Sequence, residues 1–139
     1  MDWDHKDEWL IRKNTFTVTV TRHNVHTEND KGHNRWCVYA YIYPTHPHFK
    51  NFDGNYMWQP AALELPLHGF LAGPSLLKWH RDNDGSIGSV QVGADYNHID
   101  DERFTFMTTK EEALEVFQDA EILINFLERM ESEAIKEDL

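Results

Sequence analysis

Residues 15–21, TFTVTVT, alternate without a break, with Phe16, Val18 and Val20 on one side and threonines on the other. A helix repeats every 3.6 residues, so a strict period of two excludes one here. It predicts a strand over 15–26 with one apolar face and one wet face. A polar turn with a glycine, TENDKGH at 27–33, leads into RWCVYAYIY at 35–43. Two strand patterns joined this way predict a hairpin. In the second run Trp36, Val38, Ala40 and Ile42 alternate with Cys37, Tyr39, Tyr41 and Tyr43. Both faces are apolar or aromatic, which predicts a central strand covered on both sides.

Regular structure then stops. All five prolines fall between positions 44 and 74, with glycines at 54, 69 and 73. Residues 44–75 therefore read as one long irregular segment, with a short helix near Ala61–Leu65 behind Pro60, a favourable first helical position. A loop of that length inside a small domain usually carries function. Its Phe49, Phe52, Tyr56 and Trp58 are expected to pack over the tyrosine face of the second strand. Strand patterns resume at LLKWHRD (76–82), SIGSVQVGADY (86–96) and RFTFMT (103–108). NDG at 83–85 supplies a hairpin turn, and Gly88 and Gly93 mark a bulge or a close backbone approach.

Thr109, with Glu112 three residues later, forms a capping box. Val116, Ala120, Leu123, Leu127, Met130 and Ala134 then follow on one stripe, flanked by Ala113, Phe117 and Ile124. This predicts an amphipathic helix from about 110 to 133, within a C-terminal unit of 109–135. Ile122 and Phe126 lie off the stripe, so either the N-terminal segment 1–13, through Trp3 and Trp9, covers them or a second copy of the chain does. The 139 residues are expected to form a single domain. The fold class is α+β: an antiparallel sheet of about five strands, in the order ββ–long loop–βββ–α, with the C-terminal helix packed on one face.

Charge is uneven. Residues 1–75 hold 7 Lys/Arg against 8 Asp/Glu, while residues 76–139 hold 6 against 16, out of a net −11. The stretch 109–139 alone has 3 basic and 10 acidic groups. Such a chain should repel nucleic acid and anionic membrane and attract basic partners. Glu111, Glu115, Asp119, Glu121 and Glu128 are the carboxylates expected to face such a partner. The single Cys37 lies in an apolar run and reads as a small buried hydrophobe. No disulfide can form within the chain, which fits a reducing, cytoplasmic setting. The charged opening MDWDHKDEWL does not read as a secretory signal.

For chemistry, His46 and His48 flank Pro47, and His80 precedes Asp82 by two. Together with His68 these are the residue types of a transition-metal site, but the spacing matches no specific metal signature. DNDGS at 82–86 begins like a calcium loop, yet position 12 is Gly93 rather than glutamate, so a hairpin turn is the better reading. DYNHIDDE at 95–102 clusters Asp95, His98, Asp100 and Asp101, as a solvated turn or an acid–base pair. No Walker loop or nucleophile elbow is present.

RWCVYAYIYPTHPHF and SVQVGADYNHIDDERFTF, within residues 9–127, resemble small accessory proteins of tailed bacteriophages and prophages. The resemblance implies an infected bacterial cytoplasm and a protein that binds and blocks a host protein, such as a defence nuclease or polymerase. The leading expectation is a non-enzymatic acidic protein that inhibits a basic host target by charge mimicry, without a cofactor. Phe49, Tyr56 and Trp58 would supply the anchor and the acidic helix the steering. Two alternatives stand beside it. One is a small metal-dependent enzyme or ligand-binding protein using His46, His48, His80 and Asp82. The other is a virion structural or assembly protein that self-associates, as a homodimer, around Ile122 and Phe126.

Overall fold

A computed structural model describes residues 6–25, 32–71 and 73–137. It contains a five-stranded antiparallel sheet and a long C-terminal helix, an α+β fold. The strands are β1 (Lys6–Arg12), β2 (Phe16–Asn24), β3 (Asn34–Ile42), β4 (Leu76–Arg81) and β5 (Ile87–Asp95), in the spatial order β1-β2-β3-β5-β4. The helices are α1 (Pro60–Leu63) and α2 (Leu114–Glu137). No helix among the described residues is long and apolar enough to cross a membrane.

The period-two patterns land as read. β2 and β3 pair antiparallel with Val18 opposite Ala40 and Val20 opposite Val38. β3 lies at the centre and pairs β5 on its other side. Phe16, Val18, Val20, Trp36, Val38, Ala40, Ile42, Val90 and Val92 form the sheet side of the core. Val116, Ala120, Leu123, Ile124 and Leu127 of α2 close it. Cys37 is buried.

Both interior glycines of β5 have their expected uses. The ladder slips between His80 and Arg81, which leaves Gly88 without an opposite residue. At Gly93 a Cβ would sit 2.0 Å from Cδ1 of Tyr39; the strand must be bare there for that ring to lie across it. The helix cap forms too, with the Glu112 N–H donating to Oγ1 of Thr109 at 3.1 Å. Regular α-helix starts at Leu114 and runs on to Glu137, beyond the expected end near 133.

Three expectations need correction. Residues 103–108 are not a strand: Ile99–Phe106 form a 3-10 helix. The acidic run Asp100–Asp101–Glu102 sits in its first turn, where carboxylates suit the exposed amides, and the Asp101 carboxylate accepts the His98 N–H at 3.0 Å. Local capping outweighs a short alternating pattern. The fifth strand is instead β1, in the segment expected to lie outside the sheet, paired from Lys6↔His23 to Arg12↔Thr17.

That added strand explains the second correction. The threonine side of β2 is not wet: Thr17, Thr19 and Thr21 are buried, because β1 flanks them on one side and the tyrosines of β3 on the other. Third, the long loop does not cover those tyrosines. Phe49 and Phe52 pack edge-on to Trp79, with ring centroids 5.8 and 6.4 Å away, and Trp79 pairs with core residue Val90 on the helix side of the sheet. Tyr39, Tyr41 and Tyr43 stay half-buried on the opposite face.

Candidate functional site

His46 and His48 are neither solvated nor poised for a ligand. Each is only 2 % exposed. Nε2 of His46 lies 3.0 Å from the Leu127 carbonyl, and its Nδ1 accepts the His48 N–H at 3.0 Å. An Nδ1 that accepts leaves the proton on Nε2, so the ring is held as one neutral tautomer. Burial lowers its pKa further, beyond what the Leu127 carbonyl and the nearby Glu131 restore. His48 repeats the pattern: its Nε2 is 2.7 Å from the Ala61 carbonyl and its Nδ1 is 3.1 Å from Nδ2 of Asn51. Together they pin the loop to α2 and α1.

The four residues of the metal alternative do not converge. His80 hydrogen-bonds Gln91 at 2.7 Å and lies against Tyr41, on the sheet face away from α2. Asp82 belongs to the β4–β5 turn, where it accepts from Ser86.

Beyond the two histidines the loop rises to the surface on a rigid base. Gln59, 1 % exposed, donates from Nε2 to the carbonyls of Gly54 and Tyr56 at 3.1 and 3.2 Å. Its Oε1 accepts the Asp53 N–H. The Trp79 indole donates to the Gly54 carbonyl at 2.8 Å, and Gly54 takes the left-handed φ of +82° that this turn requires. From this base Tyr56 and Trp58 project 56 % and 60 % exposed. Phe49, the third nominated anchor, is half-buried against Trp79.

The chain continues through α1, where Leu63 is exposed, to a second unusual turn. His68, Gly69 and Phe70 all have positive φ, at 48°, 59° and 69°. Left-handed backbone costs a non-glycine residue about 1–2 kcal/mol, so the surrounding packing holds it. The result is a sharp reversal. His68 points inward, while Phe70 and Leu71 stand 62 % and 84 % exposed.

Inside that reversal is a polar cluster that draws on both sequence candidates at once: His68 from the loop, Tyr96, His98 and Asp101 from DYNHIDDE, with Asp119 added by α2. Nε2 of His68 lies 2.9 and 3.0 Å from the two oxygens of Asp101. Its Nδ1 faces Oδ2 of Asp119 at 3.7 Å, and the Tyr96 hydroxyl donates to that oxygen at 2.5 Å. His98 adds its Nδ1, 3.2 Å from Oδ2 of Asp101. Burial opposes charge on His68, but Asp119 and Asp101 outweigh it and raise its pKa. Burial likewise opposes charge on Asp101, yet the His98 N–H and His68 hold its pKa down. Nothing in the spacing of His68 and Asp101, 33 residues apart, could have paired them.

The acidic helix is less open than its composition predicts. Glu115 pairs with Arg103 at 2.9 Å and Glu128 with Lys13 at 3.2 Å. Asp119 turns inward to Tyr96 and His68. Of the five nominated carboxylates, Glu111 and Glu121 are exposed and form no ion pair among the described residues. Phe126 is half-buried on the core and Ile122 stays exposed. Trp9 stacks on Trp36 and meets the edge of Phe117 instead; Trp3 lies outside the described residues.

No protein-family model, curated protein or solved structure matches this chain.

Proposed function

We propose that the chain is a non-enzymatic binding protein that captures a basic partner protein on the aromatic surface of its 54–71 segment. One observation carries this reading: Tyr56, Trp58, Phe70 and Leu71 are all more than half exposed on backbone tied down by Gln59, Trp79 and the reversal at His68. Exposed aromatic side chains on a preorganised loop are what binding hot spots are made of, because little ordering entropy remains to be lost on association. The net charge of −11 selects the partner's sign. With three of the five nominated carboxylates engaged inside the chain, that charge steers encounter rather than copying a phosphate array. The setting follows the phage resemblance: a host protein that handles nucleic acid, or a defence protein, bound and blocked in an infected bacterium.

Immobilised protein exposed to bacterial lysate at low salt, then eluted with a salt gradient, tests the reading. A protein retained by wild type should be lost on the Tyr56→Ala/Trp58→Ala double variant at unchanged melting temperature. Each anchor should contribute about 2 kcal/mol, roughly 30-fold in Kd. Equal retention by the variant would sink the proposal, as would retention indifferent to salt.

A further inference from the structure

The polar cluster beneath the His68 reversal has a use that the binding surface does not absorb. One ligating atom from each of His68, His98 and Asp101 lies within 4.8 Å of the other two, the one such group of three metal-ligating side chains among the described residues. We infer that these three residues form a binding site for a divalent transition metal of the zinc class. Two imidazoles and a carboxylate are donors that zinc accepts in a four-coordinate shell, with the last position left to water. Three independent features of the fold suit the cluster to that role.

The first is support around the ligands. A metal-bound imidazole is normally oriented by a carboxylate on its other nitrogen. Nδ1 of His68 faces Asp119 at 3.7 Å, and Asp119 is itself fixed by the buried Tyr96 hydroxyl at 2.5 Å. Asp101 is fixed in the same way by the His98 N–H at 3.0 Å. The second is charge. Asp95, whose Oδ1 lies 3.7 Å from Nδ1 of His98, joins Asp101 and Asp119 to bring three carboxylates around two imidazoles, an excess of negative charge that a dication offsets. The third is access: His68 and Asp101 are buried, whereas His98 is exposed, so an ion can reach the ligands from solvent.

Binding would also tie the left-handed run 68–70 to the start of the 98–106 turn. The exposed Phe70 and Leu71 would then be held more firmly, although the metal site does not depend on what they bind.

Calorimetric titration of untagged, chelator-treated protein with Zn²⁺ decides the matter. One ion per chain is expected, and His98→Ala, a change at an exposed position, should weaken binding at least 10-fold in a chain that still melts cooperatively. Asp101→Asn should weaken binding as well, with a lower melting temperature because the buried pair with His68 is lost. Tyr96→Phe keeps every ligand but removes the hydrogen bond to Asp119, so it should cost about 10-fold. Co²⁺ in place of Zn²⁺ should give the intense visible absorption of a four-coordinate ion, lost in His98→Ala. His80→Ala should bind like wild type. Several weak sites per chain, undiminished affinity in His98→Ala, or loss in His80→Ala in its place would each mean adventitious ion binding only and overturn the assignment.

Discussion

At the scale of single residues, His46 shows how burial turns a titratable group into a structural pin. Its two nitrogens are committed to the Leu127 carbonyl and the His48 N–H, and a second proton would have to sit on the nitrogen that accepts. Burial lowers its pKa. A group whose folded pKa lies below the unfolded value of about 6.5 stabilises the fold above that pH, and the contribution disappears as pH falls. His68 has the opposite sign: its raised pKa stabilises below about pH 6.5 and is lost as pH climbs through the folded value. In thermal melts from neutral pH downward His46 therefore contributes a falling acid limb and His68 a rising one. His46→Gln keeps a donor for Leu127 and cannot ionise, so its acid limb should be flatter. An acid limb as steep as that of wild type would assign the effect to other groups. Neither histidine's role was legible in the sequence: H-P-H looks the same whether it lines a mouth or pins a loop, because burial comes from α2, 81 residues away for His46.

At the scale of elements, the turn at 53–56 hangs on a buried amide. Gln59 serves three backbone groups of residues 53–56, and Gln59→Ala would leave them without that partner at a cost of roughly 1–3 kcal/mol. Urea unfolding should register that loss, and limited proteolysis should open the chain first within 53–58. A variant with wild-type stability and cleavage would mean that Trp79 alone holds the turn. Strands β2 to β5 were readable because each has one face on the core, which imposes a period of two over at least six residues. The 103–108 segment carried the same pattern, but capping at His98–Asp101 just before it took it into a helical turn. β1 was missed for the reverse reason. An edge strand, with Trp9 and Ile11 toward the helix side and Leu10 on the other, has no clean alternation; its place is set by pairing with β2.

For the molecule as a whole, the net −11 acts at distances beyond any single contact. Glu111→Gln/Glu121→Gln should slow association with a basic partner and flatten its salt dependence, with little change in dissociation rate. Stopped-flow or surface-binding kinetics at two ionic strengths would show it, and an effect confined to dissociation would place these carboxylates inside the contact rather than around it. Fold class, the central strand, the capped amphipathic helix and the sign of the net charge follow from periodicity and composition, since these are local sums over neighbouring residues. Which carboxylates remain free, which histidines lie buried and which aromatics face water were decided only when the sheet, the loop and α2 closed on one another. Those outcomes depend on pairs such as His68–Asp101 and Arg103–Glu115, and no one-dimensional pattern encodes which distant side chains will meet.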